Sequence, residues 1–578
     1  MPPCLLFEDA HLLAVNKPPG LNTHAPAPYA GEGIYDWLRH REPRWASLAI
    51  IQRLDKETSG VLLFAKTPLA NRSLTEQFTK RTVRKKYLLL TDRSVPEKAF
   101  TVQSVLVRAG KKYVTRPLHS AGQMAETRFE TRVSNCKLQI SNCKIGPLTL
   151  MEAEPLTGRT HQIRVHAADS GLPILGDTLY GGTPAPRLGL HAAELSLQHP
   201  ATGEPLSFRA EVNFAEETHL LLRAALLDPS ETDAFRLING ASDGWPGWYV
   251  ERLGDYLLSQ SETSPSAAQL EELDRLQQRF SARAAYHRPL SRQIRRTVPI
   301  EASHRLLLGQ AAPDRFTICE NGLQFELSLT EGYSVGLFLD QRDNRRRLLT
   351  GHIAAAFELV VGRASRLSPG RLAPSSSETD RPPTEGAGGS SRQGADPPLA
   401  PRPSALEILN TFAYTCAFSV CAAKTGARTT SLDLSKKYLE WGKRNFTLNG
   451  LDPASHDFIY GDTFDWLRRL ARKQRLFDVI LLDPPTFSQS KETGVFRAEK
   501  DYGKLVAAAL PLLKSGGILF ASTNAAHWPP TDFVACVEQT VLASRRKILQ
   551  RHYAPQPPDF PISRAEPAYL KTLWLRVD

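Results

Sequence analysis

The sequence predicts a chain of three units: a β-rich one, a small α/β one, and a larger open α/β sheet. Three observations predict it. At 578 residues the chain exceeds what one hydrophobic core holds, and the usual domain size gives roughly three or four units. Short β-like runs separated by turn signals fill about residues 1–215. Over about residues 331–578, strand-like and helix-like segments alternate, which indicates a mainly parallel sheet with helices on both faces.

In the first unit VLLFAK (Val61–Lys66), KKYLLL (Lys85–Leu90) and LTLMEAEPL (Leu148–Leu156) read as strands. The near-repeat SNCKLQI, SNCKI over Ser134–Ile145 reads as a lengthened hairpin, two copies being too few for a solenoid. The second unit, about 216–330, joins a strand-like part, FRLINGASDGWPGWYVERLGDYLLSQ, to a helical pattern, AAQLEELDRLQQRFSARAAY. In the third, the strands are ALEILNTF, TTSLDL, HDFIYGD, FDVILLDPP and GGILFAST, with helices between the first four. Residues 362–404 are rich in Pro, Gly, Ser and Arg and almost free of aliphatic side chains. Such a segment buries too little apolar surface to offset its ordering entropy, so a disordered insertion is expected there.

Hydrophobic residues make up 41% of the chain, and no apolar run reaches the roughly 18 residues of a membrane span. The amino terminus MPPCLLFEDAHLLAVNKPPG lacks the basic start and cleavage site of a signal peptide, so a cytoplasmic location is the default expectation. Seven scattered cysteines show no CxxC pair or zinc-type spacing, so neither a metal site nor a disulfide framework is expected. A formal charge of +12 favours a polyanionic partner.

QRLDKETSGVLLFAKT (Gln52–Thr67) places one carboxylate, Asp55, between Arg53 and Lys56 at the mouth of a strand. A solvated turn with cancelling charges would look the same. A second stretch, PLTGRTHQIRVHAADSGLPILGDTLYGG (Pro155–Gly182), crowds Arg159, His161, Gln162, Arg164 and His166 together. Read as a strand, it gathers Gln162, Arg164 and His166 on one face. Between the two lies FTKRTVRKKYLLL, whose Lys85 and Lys86 can hold phosphate and whose Tyr87 can stack on a base.

Together with EDAHLLAVNKPPGLNTHAP near the amino terminus, these stretches resemble the RluA-type RNA pseudouridine synthases over roughly residues 5–212. The resemblance implies an α+β mixed-sheet catalytic domain that isomerises uridine in RNA without a cofactor. The base leaves carbon 1′ of its ribose, rotates and reattaches through its carbon 5. By the same resemblance Asp55 is the reactive carboxylate, Arg164 the cation that keeps it ionised, and Tyr87 the residue against the target base. Arg53, Lys85, Lys86, Arg159 and His161 are then expected to contact RNA. Gln52 stands where this family commonly has histidine.

In the third unit, ALEILNTFAYTCAFSVCAAKTGARTTSLDL reads as strand, turn, helix and a strand ending in an acid, Asp433. In a Rossmann-like site an acid there takes ribose hydroxyls, although NTFAYTCAF carries no glycine. FIYGDTFDWL adds Asp462, and FDVILLDPPTFSQSK adds Asp483, two prolines and Phe487. An acid-Pro-Pro-x-aromatic loop at a strand end can aim an oxygen and a ring face at a planar base.

These segments, with GYSVGLFLDQRDNRRR and PPDFP…EPAYLKTLWL, resemble class I S-adenosylmethionine-dependent methyltransferases. The likeness is to the ribosomal RNA group (RlmI and RlmK) acting on cytosine carbon 5 or guanine nitrogen 7. It extends through RLINGASDGWPGWYVERLGDYLL to cover about residues 228–578, apart from the insertion. It implies a small α/β domain before a Rossmann-like one that binds S-adenosyl-L-methionine. Asp433, Asp462, Asp483, Asn410, Phe412, Tyr414, Gln341 and Arg342 are the implied cofactor-pocket residues, and Asp483 and Phe487 face the target base. Cys416 replaces a glycine of this group and is expected to crowd the cofactor loop. Cytosine-5 methylation needs a cysteine nucleophile; at the matching position stands Asn524, so methylation of a guanine nitrogen is the expectation. The rival reading is a noncatalytic, or partly degenerate, RNA-binding ribosome-assembly factor in which only the synthase is active.

Overall fold

The computed structural model describes residues 1–136, 147–290, 304–331, 334–360, 405–490 and 494–578. The expected insertion, and all but the first residues of the expected hairpin over Ser134–Ile145, lie outside them.

A mixed sheet forms the first unit. Its strands run in the order Leu5–Glu8, Leu12–Lys17, Ser59–Ala65, Leu190–Gln198, Arg84–Thr91, Leu148–Pro155, Gln123–Cys136, Ala99–Ala109 and Lys112–Arg116. Ser59–Ala65 is buried throughout, and it pairs antiparallel with Leu12–Lys17 and parallel with Leu190–Gln198. That second pairing depends on Gly60. It has φ +117°, and a Cβ there would sit 2.2 Å from the Ala192 carbonyl oxygen. The turn before this strand, which carries Asp55, is thereby held against the sheet's centre.

One expected strand is a helix. Gln162–Asp169 is α-helical, entered through His161 in the left-handed region at φ +56°. The alternation of polar and apolar residues misled because Gln162 to Ala167 are all buried, polar ones included. Gln162 accepts from Thr157 Oγ1 (2.6 Å) and donates to the Glu126 carbonyl (2.8 Å), while His166 is bonded to Thr127 and Ser104. Hydrogen bonds, not solvent, satisfy that face.

The second unit is a five-stranded sheet, Ala234–Asn239, Trp248–Leu253, Tyr256–Ser261, Ala284–Pro289 and Arg305–Gly309, with the expected helix at Ala267–Arg279. Ser266 caps that helix in a reciprocal capping box with Gln269. Leu237, Trp248 and Leu276 share a core with Trp37, Trp45 and Phe64 of the first unit. The hairpin of Phe316–Glu320 and Leu323–Leu327 turns the other way. Its Ile318 and Phe325 join the core of Phe446 and Trp574 in the third unit.

The third unit is a seven-stranded sheet in the order Asp457–Tyr460, Arg428–Asp433, Glu407–Thr411, Phe477–Leu482, Leu513–Thr523, Lys571–Val577, Ile548–Pro555. Its first five strands are parallel; Lys571–Val577 runs against them, and Ile548–Pro555, antiparallel to it, runs with the first five. Strand order reverses between Glu407–Thr411 and Phe477–Leu482, so a crevice opens beyond their carboxyl ends. No helix among the described residues is long and apolar enough to cross a membrane.

Candidate active sites

Asp55 lies in a loop gripped from beneath by the NKPPGLNT segment. Lys17, fully buried, donates its Nζ to the carbonyls of Pro18 (2.8 Å), Leu21 (2.7 Å) and Lys56 (3.1 Å). Thr23 Oγ1 donates to the Leu54 carbonyl at 2.9 Å and accepts from the Leu54 amide at 3.1 Å. Burial lowers the Lys17 pKa to about 7. Those anchors fix the backbone on both sides of Asp55.

Above the loop, Arg164 Nη1 stands 3.5 Å from Asp55 Oδ2, and His161 Nε2 stands 3.7 Å from the same oxygen. Arg164 is itself clamped by buried Asp177, through Nε and Nη2 at 2.7 Å each. Such a bidentate pair fixes the plane of the guanidinium. Tyr180 lies beneath it, ring to guanidinium at 5.2 Å, and its hydroxyl is 2.8 Å from His161 Nδ1. Burial, with the Asp55 charge added, raises the Tyr87 pKa, so the phenol stays protonated. Asp55, Tyr87, Arg164, His161, Arg159 and Lys85 line one open cavity of about 470 Å³. It offers a carboxylate, a fixed cation and an aromatic within a space suited to one extruded nucleotide.

The second site gathers where the strand order reverses. The loop leaving Glu407–Thr411 carries Phe412 (φ +55°), Tyr414 (φ +49°) and Cys416 (φ +62°), all left-handed without being glycine. The Tyr414 amide donates to Asp433 Oδ2 and the Ser435 amide to Asp433 Oδ1, each at 2.8 Å. Burial raises the Asp433 pKa. Across the crevice, Gln341 Nε2 donates to Asp483 Oδ2 (3.2 Å) and to Ser522 Oγ (2.8 Å). Burial pushes the Asp483 pKa up to about 6. Tyr502, buried below, links the Leu482 and Ser522 carbonyls at 3.0 and 2.9 Å, tying together the two strand ends that flank the acid.

Residues 11–169 match the RNA pseudouridylate synthase family, and residues 401–576 match the S-adenosylmethionine-dependent methyltransferase family. The ribosomal RNA large subunit methyltransferase of Deinococcus radiodurans is 33% identical over 62% of this chain and 77% of its own length. The ribosomal large subunit pseudouridine synthase C of Yersinia pestis is 38% identical over 36% of this chain and 66% of its own length. Its counterpart from Salmonella typhimurium is 36% identical over 36% of this chain and 67% of its own length. The chain belongs to both families. It is a pseudouridine synthase joined to an S-adenosylmethionine-dependent methyltransferase, and it acts on RNA.

In the synthase half, the cavity brings together Asp55, Arg53, Tyr87, Lys85, Arg159, His161 and Arg164. Lys86 does not line it. On the strand Arg84–Thr91 it points to the opposite face, 3.9 Å from Glu152, because side chains alternate along a strand. Gln52 donates to the Val61 carbonyl at 3.3 Å and so ties the Asp55 loop to its own strand. Sequence reasoning missed Lys17, Thr23 and Asp177. The LGD triplet (Leu175–Asp177) beside a crowded basic run was the available signal for the last.

In the methyltransferase half, Asp433, Phe412, Tyr414 and Asp483 lie at or just past the carboxyl ends of their strands, and Gln341 reaches Asp483 from outside the sheet. Two expected pocket residues are committed elsewhere. Arg342 is buried in a bidentate pair with Asp559 at 2.9 and 2.6 Å, which joins the third unit to its own carboxyl-terminal loop. Asn410 donates to Ser419 Oγ at 2.9 Å, fastening strand to helix. Asp462 caps the helix Thr463–Arg472 by accepting from the Asp465 amide at 3.0 Å. Phe487 begins the strand Phe487–Ser490, next to the acid-Pro-Pro turn.

Cys416 does not crowd the loop. Its side chain is fully buried and turns into the space left by Gly442, where a Cβ would lie 2.4 Å from its sulfur. S-adenosyl-L-methionine supplies an electrophilic methyl group when bound. Asp433, fixed by the Tyr414 and Ser435 amides, would accept from its ribose hydroxyls, and Asp483 would stand toward its methyl end.

Proposed function

We propose that the synthase half forms pseudouridine in ribosomal RNA with Asp55 as the reactive carboxylate. Arg164, clamped by Asp177, stands beside Asp55 as its cationic partner, His161 aligns it, and Tyr87 packs against the extruded base. Arg53, Lys85 and Arg159 receive phosphates around the cavity rim. The three units read as residues 1–215, 216–330 and 331–578, with the hairpin at 316–327 serving the third. A ribosomal RNA substrate supports a cytoplasmic location.

For the methyltransferase half we propose a guanine nitrogen as the acceptor. The observation that carries this is Asn524, exposed immediately past the strand Leu513–Thr523, where the covalent cytosine route needs a thiol. The cysteines of the cofactor side do not substitute for it. Cys416 and Cys421 are buried, and burial pushes both thiols up to about 12. Alkylating a ring nitrogen needs no covalent step, only alignment of the lone pair with the methyl group. Asp483, with Gln341 and Phe487, holds the base in that alignment.

Mass-spectrometric mapping of pseudouridine and methyl marks in ribosomal RNA, with and without the gene, tests both proposals. Complementation with Asp55→Ala should remove only the pseudouridine, and with Asp483→Ala only the methyl group. A mark on cytosine carbon 5 overturns the guanine assignment. Full pseudouridine formation by Asp55→Ala overturns the other.

A further inference from the structure

Where the first unit meets the third, an imidazole faces another imidazole and a carboxylate across the seam. Glu32 and His40 come from the first unit, His40 from the helix Ile34–Arg41; His552 comes from the strand Ile548–Pro555. His40 Nδ1 lies 2.6 Å from Glu32 Oε1, and the rings of His40 and His552 stand 4.4 Å apart at 66°. One donor atom from each of the three side chains falls within 4.8 Å of the other two. His552 Nε2 is buried and has no hydrogen-bond partner among the described residues. An orphaned buried ring nitrogen is a cost that a protein rarely leaves in place without a use.

From this geometry we infer that Glu32, His40 and His552 form a binding site for a zinc-type divalent cation that staples the synthase half to the methyltransferase half. Two imidazoles and one carboxylate are a donor set for borderline ions such as Zn²⁺ or Co²⁺ rather than Mg²⁺ or Ca²⁺. Ligand atoms around a tetrahedral zinc ion lie roughly 3.4 Å apart, as bond lengths near 2.1 Å require. Rotations of the three partly buried side chains reach that spacing: the Glu32–His40 hydrogen bond opens and His552 closes in.

The charges around the site are mixed. Arg347 Nη2 lies 3.7 Å from Glu32 Oε1, but its other nitrogens are committed to the Ile353 carbonyl (3.0 Å) and Asn344 Oδ1 (3.4 Å). The adjoining cavity is lined by one further carboxylate, Asp36, and one further cation, Arg551. The cavity, about 280 Å³ and open to solvent, also borders Glu32 and His40, which gives an ion a path in and leaves a coordination position for water. A second cluster, Glu217, His219 and Glu272, is not comparable. Arg275 already bonds both of its carboxylates at 2.7–3.0 Å.

The test is a Co²⁺ titration of the full chain, followed by visible absorption. One saturating equivalent with the intense bands of a tetrahedral site is expected, displaced by Zn²⁺. His552→Gln and His40→Gln should each abolish those bands while retaining the far-ultraviolet circular dichroism of the native chain. Zn²⁺ should raise the thermal unfolding temperature of the native chain and leave that of His552→Gln unchanged. No saturable bands in the native chain, or bands unchanged in His552→Gln, would overturn the assignment.

Discussion

Arg164 approaches Asp55 with only one of its nitrogens, at 3.5 Å, because the other two are held by Asp177 at 2.7 Å. The Asp55 carboxylate thus has a partner whose position is set by a third, buried residue. Breaking a buried ion pair by removing one partner costs about 3–5 kcal/mol, since the remaining charge is left uncompensated.

Asp177→Asn should therefore lower the unfolding free energy of the synthase half by about 3 kcal/mol. Pseudouridine formation should drop at least tenfold in single-turnover assays with tritiated uridine in RNA. RNA affinity should change little, because Asp177 lies beneath the cavity, only 2% exposed. Unaltered turnover in Asp177→Asn would show that Arg164 needs no clamp.

Lys17→Met removes the ammonium that holds three carbonyls, among them that of Lys56 beside Asp55. Each buried acceptor left without a donor costs about 1–3 kcal/mol. The Asp55 loop should loosen before the sheet does. Hydrogen exchange at the Leu54 and Thr58 amides should accelerate by an order of magnitude or more, with the strand Ser59–Ala65 protected as before. Equal acceleration throughout that strand would mean that Lys17 supports the whole sheet.

What was legible in the sequence depended on how local the physics was. Strand–turn–helix alternation in the third unit is a short-range pattern, and its strands appear where the sequence places them. Asp55 and Asp433 stand out because each is an acid at the end of an apolar run, and Arg164 because it lies in a short, crowded run of basic and polar residues. The helix Gln162–Asp169 was not legible, since its polar residues are buried by hydrogen bonds to Glu126, Thr127 and Ser104, far away in the chain. Lys86 lies on the opposite face of its strand from Lys85 and Tyr87, as the alternation of a strand requires. Arg342 was drawn to Asp559, 217 residues onward, and nothing in FLDQR points there. Three left-handed non-glycine residues filled the place of the missing glycine loop, a departure that backbone propensity alone argues against.

Asp483 gives a pH signature. Its folded pKa is raised to about 6 by burial, from an ordinary carboxylate value near 3.8. The folded state therefore binds its proton more tightly than the unfolded state does. Its contribution to stability is fully present below the ordinary carboxylate range and is lost as pH rises through about 6. Methyl transfer should run the opposite way, because only the ionised carboxylate accepts from the base: activity should fall as pH drops through about 6. Asp483→Asn should stay near that low level at every pH. A native profile flat between about pH 5 and pH 7, roughly one unit either side of this pKa, would remove Asp483 from the acceptor role.

Cys416 and Gly442 should be coupled. Cys416 occupies the left-handed region at φ +62°, and its sulfur fills the space where a Cβ on Gly442 would come within 2.4 Å. Gly442→Ala should destabilise by about 1–3 kcal/mol through overpacking, despite the alanine's better helix propensity. It should also weaken S-adenosyl-L-methionine binding, because a displaced Cys416 shifts the Tyr414 amide that donates to Asp433. In a Cys416→Gly background the sulfur is gone and the left-handed position suits the new residue. There the same Gly442→Ala change meets no clash, and its helix propensity should make it stabilising by about 0.5–1 kcal/mol. Chemical denaturation of the four proteins and calorimetric titration with the cofactor measure this cycle. A change of sign between the two backgrounds is the expected result; additive effects would mean that the sulfur does not set the loop.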